Sequence, residues 1–271
     1  MANVQVGIVG LGVMGTQLAA FVHQRLGVAP LVAHGTTGDL LALAPCDVVI
    51  ECVTENLAVK RKVFAALESV VSPDAVLATN TSALSVISIA SDLRFPTRML
   101  AMHFFNPVAR MKLVEVAPTA HTSPAALQTA LALTFELRKT PVICQDRPGF
   151  VVNRLLMLVV GQALAALNNG MPMAEVDQAL KDLGLPLPIS QLVCLIGLNT
   201  IELVLELLPN PAHLQSALTT GTDLYCKLSA DLSAEIESML AEQVVSSREV
   251  IRQCLLLGAG WRLPSLQKKF N

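Results

Sequence analysis

The stretch Val4-Gln5-Val6-Gly7-Ile8-Val9-Gly10-Leu11-Gly12-Val13-Met14-Gly15 decides the fold of the N-terminal half. Its apolar start predicts a buried strand, and the residues that follow it have the periodicity of a helix. Between them stands a G-x-G-x-x-G loop. Its first glycine permits a tight turn, its second lets the backbone approach a pyrophosphate, and its third allows the helix to pack closely on the strand. The predicted phosphate-binding residues are Gly10, Gly12, Val13, Met14 and Gly15.

Short β-branched runs and amphipathic helices alternate along the chain as far as about residue 147. Strands are predicted at 4–9, 31–33, 46–53, 75–79, 99–104, 112–116 and 141–144. Helices are predicted between them at 14–26, 57–71, 86–93 and 124–138. Such alternation is typical of a largely parallel sheet with helices on both faces. The fold class is therefore α/β, with a Rossmann-type doubly wound sheet over residues 1–147.

The second half of the chain, residues 148–271, has a different pattern, because its strands stop and long apolar helices follow. Helices are predicted at 149–167, around 176–183, at 192–208 and at 232–257. This half is therefore an all-α C-terminal domain, which we expect to bind substrate. Helix 192–208 is apolar on more than one face, which predicts a homodimer formed through this domain.

The overall composition excludes several classes of function. The 271 residues include 19 Lys and Arg against 21 Asp and Glu, and no basic run gives a reason to expect nucleic acid. Although 53% of the residues are hydrophobic, no apolar run reaches the ~20 residues that span a membrane. The N-terminus lacks the features of a signal peptide, and six cysteines stand singly without a metal-binding pattern. We therefore expect a cytoplasmic protein with reduced thiols and no metal.

The sequence leaves the choice of dinucleotide open. An acidic residue is expected about 20 residues after the glycine loop, where it would bind the adenosine ribose. His34 stands there instead, and the first acidic residue of the chain is Asp39. No arginine is near enough in sequence to receive a 2′-phosphate. His34, Thr36 and Thr37 could bond either form of the ribose, or they could be turn residues only.

A histidine and a glutamate lie on consecutive predicted strands of the first domain. His103 ends one strand, within His103-Phe104-Phe105-Asn106-Pro107, and Glu115 lies on the next. A carboxylate there would orient the imidazole and stabilise its protonated form, as a general base requires. A purely structural histidine remains the alternative.

Several segments, taken in their order along the chain, resemble the 3-hydroxyacyl-CoA dehydrogenase family. They are Cys46–Lys60, Thr79–Ser82, His103–Glu115, Lys139–Val142 and Asp146–Arg154. The glycine loop alone also suits 6-phosphogluconate-type dehydrogenases and imine reductases, but His103–Pro107 and Pro148–Arg154 argue against both. The resemblance implies an oxidoreductase of fatty acid metabolism that interconverts 3-hydroxyacyl and 3-oxoacyl thioesters. It implies NAD as the cofactor, with NADP not excluded.

The resemblance also implies roles for catalytic residues. His103 would remove the proton of the 3-hydroxyl group, with Glu115 as its partner. Ser82 and Asn153 would hold the reacting oxygen and the substrate. The alternative for Ser82 is that it only caps the next helix.

A second set of roles implied by the resemblance concerns the cofactor. Glu55 and Lys60 would lie near the nicotinamide and the acyl-carrier arm, and Asn80 and His34 complete the expected cofactor-binding residues. The alternative for Lys60 is a solvated charge on a helix.

Departures from the family pattern put the carrier of the acyl group in doubt. The connection Gly35–Pro45 is short where the family has a projecting helical pair that helps to hold coenzyme A, and the resemblance fades beyond about Pro209. Arg110 replaces a usually apolar residue, and with Lys60 it could meet the phosphate of a phosphopantetheine arm. The substrate is therefore a thioester of coenzyme A or of an acyl carrier protein. A catalytically silent dinucleotide-binding protein is the alternative from another class.

Overall fold

The computed structural model of the protein describes residues 4–34, 39–207 and 220–262. These residues divide into two units, Met1–Asp146 and Arg147–Asn271. The strands, all in the first unit, are β1 (Val6–Val9), β2 (Leu31–Ala33), β3 (Val48–Glu51), β4 (Val76–Thr79), β5 (Met99–Phe104), β6 (Leu113–Pro118) and β7 (Thr140–Ile143). The helices of the first unit are α1 (Val13–Leu26), α2 (Leu57–Val70), α3 (Val86–Ile89) and α4 (Pro124–Glu136).

The seven strands form one sheet in the order β2-β1-β3-β4-β5-β6-β7. All neighbours are parallel except β5 and β6, which confirms the doubly wound α/β fold. Every residue of β1, β3, β4 and β5 is buried, as expected of strands covered on both faces.

The strand order reverses at β1. The chain passes from β1 to β2 on one side and returns to β3 on the other, so β1 pairs with both in parallel. Ligands of open α/β sheets bind at such a switch point, beyond the carboxyl ends of the strands. The topology therefore places the ligand crevice where the glycine loop leaves β1.

The connection from β2 to β3 contains only a short 3₁₀ helix, Asp39–Leu43, among its described residues. Leu40 and Leu43 are fully buried, and Leu43 lies close to Gly7 of β1. This part of the connection therefore packs onto the sheet. Thr36 and Thr37 lie outside the described residues.

The buried Lys139 makes the stability of the first unit depend on pH. Its ammonium donates to the carbonyl oxygens of Val108 (2.7 Å) and Met111 (2.6 Å) and lies 4.3 Å from the centre of the Phe21 ring. Burial, helped by the nearby charge of Arg25, lowers the pKa of Lys139 from 10.5 to about 8. Between these two pH values Lys139 holds its proton in the unfolded chain and has released it in the folded chain, so its contribution to the free energy of unfolding rises with pH.

We expect this rise to be lost in Lys139→Met. Because a pKa difference of one unit corresponds to about 1.4 kcal/mol, the contribution of Lys139 rises by about 3 kcal/mol between pH 8 and 10.5. Urea unfolding across that range measures it, with exposed Lys112→Met as the control for removing a lysine. Parallel curves for wild type and Lys139→Met would contradict the account.

The described part of the second unit is helical. Its helices are α5 (Val152–Asn168), α6 (Met173–Asp182), α7 (Ile189–Ile196), α8 (Leu198–Leu207), α9 (Gly221–Ala241) and α10 (Arg248–Ala259). By length and composition no single described helix can cross a membrane, although the bent pair Ile189–Ile196 and Thr200–Leu207 passes that test when taken together.

Two helices predicted as continuous are each divided in the structure, so both predictions are wrong. The predicted helix 192–208 breaks at Gly197, whose φ of 88° a helix does not allow. The predicted helix 232–257 is interrupted between α9 and α10. Gln243 there has a φ of 57°, and Ser247 caps α10 by accepting a bond from the Val250 N–H.

Candidate active site

The glycine loop connects β1 to α1 through contacts that exclude larger residues. Gly10 has a φ of 90°, and a Cβ atom on it would lie 2.7 Å from the carbonyl oxygen of Cys52. A Cβ atom on Gly15 would lie 1.8 Å from the carbonyl oxygen of Gly10. Glycine is therefore required at both positions by the protein itself.

Gly12 differs, because a Cβ atom on it would meet no protein atom within 4 Å. Gly12 is the exposed N-cap of α1, and no described side chain caps this helix. The first N–H groups of α1 therefore face open space beside the carboxyl ends of β1 and β3. A pyrophosphate fits this cradle. Val13 and Met14 form the first turn of α1, and Val13 is 69% exposed.

His34 follows β2 at the same edge of the sheet. The N–H of Gly10 donates to the carbonyl oxygen of Ala33 at 2.8 Å, which ties the glycine loop to the residue just before His34. The side chain of His34 is exposed. Its predicted contact with the ribose remains a prediction.

The antiparallel register of β5 and β6 pairs His103 with Glu115. The imidazole Nδ1 lies 2.7 Å from Glu115 Oε2, and both side chains are buried, with 4% and 0% exposed. An ionised carboxylate accepts the Nδ1 proton, so the proton-accepting nitrogen of the neutral ring is Nε2. The Phe105 ring contacts the imidazole edge-on at a centroid distance of 4.5 Å.

Ser82 lies on the other side of the same imidazole. Its Oγ is 3.4 Å from His103 Nε2, within the segment that follows β4. The alternative that Ser82 only caps the next helix is wrong, because the N-cap of α3 is Ser85. The structure therefore brings together Ser82, His103 and Glu115, of which only Ser82 was associated with the site through the resemblance alone.

Lys60 is buried between two carboxylates. Its ammonium lies 2.8 Å from Glu51 Oε1 and 3.1 Å from Glu55 Oε2, and 1% of its side chain is exposed. Burial alone would lower the pKa of Lys60, but the two carboxylates raise it above the usual value. Lys60 is thus not a solvated helix charge, and its charge is already neutralised within the protein. The expectation that it meets a phosphate together with Arg110 is wrong for Lys60, whereas Arg110 is exposed.

Two residues outside the predicted site, Glu51 and Gln17, also fix this edge of the sheet. Glu51, at the end of β3, accepts bonds from Lys60 and from the Thr79 hydroxyl at 2.7 Å. Gln17 of α1 bonds both the Asn106 side chain and the Val108 N–H. A polar residue on a helix that looks solvent-exposed gives no sequence signal for such a contact.

Asn80 uses its side-chain oxygen to fix the end of β5. Its Oδ1 accepts the Phe104 N–H at 2.8 Å, next to His103. Its expected contact with the cofactor remains a prediction.

Asn153 belongs to the second unit, in the first turn of α5. The neighbouring Arg154 is buried, with 2% exposed, and bonds Glu235 and Glu242 of this unit. Arg154 lowers the pKa of Glu242 to about 2 through hydrogen bonds and charge. This pairing fixes the first turn of α5 against α9 and its C-terminal end.

Two family models together match more than half of the chain. One is described as "3-hydroxyacyl-CoA dehydrogenase, NAD binding domain" and matches residues 28–147. The other is described as "3-hydroxyacyl-CoA dehydrogenase, C-terminal domain" and matches residues 149–235. The chain belongs to the 3-hydroxyacyl-CoA dehydrogenase family.

Individual relatives agree with this family. The chain is 32% identical to FadB2 of M. tuberculosis, whose crystal structure matches 76% of this chain and 87% of that one with a TM-score of 0.70. It is 37% identical over 184 residues to a 3-hydroxybutyryl-CoA dehydrogenase of Clostridioides difficile, covering 66% of this chain and 65% of that protein.

A third relative is much longer than this chain. The chain is 41% identical over 157 residues to the fatty acid oxidation complex subunit alpha of Psychrobacter cryohalolentis. The match covers 58% of this chain and 22% of that subunit.

Within the family, the first unit is the NAD-binding domain, and its residues fit that cofactor. The space above Gly12 and the uncapped N-terminus of α1 suit the pyrophosphate, and the His103 pair lies at the carboxyl edge of the same sheet. The region matched by the NAD-binding model begins at residue 28, so the glycine loop adds an independent observation.

Proposed function

We propose that this 3-hydroxyacyl-CoA dehydrogenase family member interconverts 3-hydroxyacyl and 3-oxoacyl thioesters with NAD. The observation that carries the proposal is the buried His103–Glu115 pair, with Ser82 beside its Nε2. The Clostridioides difficile relative, a 3-hydroxybutyryl-CoA dehydrogenase, supports an acyl-CoA substrate.

The chemistry follows from these contacts. In the oxidative direction His103 Nε2 takes the proton of the 3-hydroxyl group, and the Glu115 carboxylate stabilises the imidazolium that results. The Ser82 hydroxyl donates to the oxygen as it becomes a carbonyl. Gly12 and the first turn of α1 would hold NAD, which would supply the hydride acceptor for C3 and, in its reduced form, the hydride donor for the reverse direction. Asn153 is proposed as a further donor to the substrate.

The proposal also concerns the carrier of the acyl group. The packed 3₁₀ helix Asp39–Leu43 stands where the family has its projecting helical pair, which favours a phosphopantetheine arm on a carrier protein over free coenzyme A. Exposed Arg110 is the residue proposed to meet the phosphate of that arm.

Absorbance of reduced nicotinamide tests the function and the carrier together. We expect oxidation of NADH with an acetoacetyl thioester, and a higher kcat/KM for the carrier-protein thioester than for the coenzyme A ester. A clear preference for coenzyme A would contradict the carrier proposal. No activity with either thioester and either NADH or NADPH would favour the silent binding protein.

The second unit is proposed to form a homodimer. Leu195 and Leu198 are 39% and 56% exposed at the α7–α8 break, and an exposed apolar surface of this kind favours an interface. We expect light scattering to give the dimer mass at micromolar concentration. A monomer mass there would contradict the proposal. A cytoplasmic location also remains a proposal, which cell fractionation tests.

A further inference from the structure

Glu55 anchors the backbone of the segment that carries Ser82. Its Oε1 accepts the N–H of Ser82 at 2.8 Å, the N–H of Ala83 at 3.2 Å and the hydroxyl of Thr81. The position of Glu55 is not explained by helix capping, because the N-cap of α2 is the next residue, Asn56. One carboxylate oxygen therefore holds three consecutive residues of one loop.

Glu55 is itself held from the centre of the sheet. Its second oxygen contacts Lys60, which is bound in turn to Glu51 at the end of β3. Glu51 also accepts the Val53 N–H at 2.6 Å, so it is fixed from two sides. A continuous chain of charged contacts thus runs from β3 to the loop beyond β4.

A second carboxylate fixes the far end of the same segment. Asp146 accepts the Ser85 hydroxyl and the N–H groups of Val86 and Ile87, at 2.9 to 3.0 Å. The residues from Thr81 to Ile87 are therefore held at both ends. Only one of the two anchors, Glu55, bonds Ser82 directly.

We infer that Glu55 is a positioning residue of the reaction, which acts through Ser82 by fixing its hydroxyl against His103 Nε2. The inference rests on the proposed function. It gives Glu55 a task different from direct contact with the nicotinamide, and it explains why an ionised carboxylate with a buried lysine partner stands beside a serine.

A double-mutant cycle tests the inference. Loss of one hydrogen-bond donor to a reacting oxygen costs about 10²–10³ in kcat, and we expect Glu55→Ala to lose at least about tenfold with an unchanged KM for NAD. If Glu55 acts through Ser82, then adding Glu55→Ala to Ser82→Ala costs less than about threefold more. Glu55→Gln keeps an acceptor oxygen and should recover part of the loss. Multiplicative effects together with a raised KM for NAD would overturn the inference.

Glu68→Ala is the matched control. Glu68 also accepts two backbone N–H groups, those of Arg94 and Phe95, in another loop of the same unit. We expect its removal to leave kcat unchanged. An equal loss of kcat in Glu68→Ala would show that loosening any loop has this effect, and would overturn the specific role of Glu55.

Hydrogen exchange provides a readout that does not need activity. Peptides covering residues 79–89 should exchange faster in Glu55→Ala than in the wild type, and Glu55→Gln serves the same purpose if the alanine variant does not fold. Unchanged exchange in both variants would overturn the anchoring. An inactive wild-type enzyme would instead contradict the proposed function, so the two failures are distinguishable.

Discussion

Replacement of His103 by alanine is expected to reduce turnover by about 10²–10⁴-fold, the usual contribution of general acid–base catalysis. Affinity for NAD should survive, because the imidazole bonds Glu115 and Ser82 rather than the glycine loop. Steady-state rates with an acetoacetyl thioester and fluorescence titration with NADH measure the two quantities separately.

Glu115→Gln is the companion variant for this prediction. An amide keeps the shape of the side chain but cannot stabilise an imidazolium by charge, so we expect only part of the loss seen in His103→Ala. The Lys112→Met variant described above controls for a surface change on the same hairpin. A full rate in folded His103→Ala would contradict the assignment of the base.

Alanine at two positions of the glycine loop is expected to separate cofactor binding from stability. At Gly12 the added methyl meets no protein atom, so stability should stay within about 0.5 kcal/mol while affinity for NAD falls. At Gly15 the methyl collides with the Gly10 carbonyl oxygen, so stability should fall by about 1–3 kcal/mol as well. Thermal unfolding and NADH titration of both variants give the comparison.

The size of the affinity loss decides this second prediction. We expect at least a tenfold weaker Kd for NAD in Gly12→Ala, or about 1.4 kcal/mol. An unchanged Kd would show that the pyrophosphate does not approach Gly12. Equal stability of Gly15→Ala and the wild type would show that the loop relaxes more easily than its contacts indicate.

The sheet could be predicted from the sequence because its signals are local. Buried strands such as β3 are short apolar runs, and glycine spacing marks the turn after β1. The ends of the helices in the second unit were harder to predict, because a helix that is apolar on several faces shows no change of pattern where it ends. Gly197 was a visible signal for one break, but a glycine inside a helical pattern is often tolerated.

The candidate site could be predicted only in part. The spacing of His103 and Glu115 suits two neighbouring strands. Their direct pairing depends on the register of β5 and β6, which cannot be predicted from the sequence alone. Lys60 was misjudged for a related reason. A buried lysine can be predicted only when its carboxylate partners are known. The partners of Lys60, Glu51 and Glu55, lie at a strand end and in a loop rather than on its own helix.

We propose that His103 supplies the proton when a 3-oxoacyl thioester is reduced, while the nicotinamide cofactor would supply the hydride directly to C3. The most direct test is reduction of an acetoacetyl thioester with NADH deuterated at both C4 positions, followed by mass spectrometry of the product. The account predicts one deuterium on C3 of the 3-hydroxybutyryl product from the wild type, and a yield of that product at least about 10²-fold lower in the same time from His103→Ala. A product without deuterium on C3, or an equal yield from the variant, would contradict it.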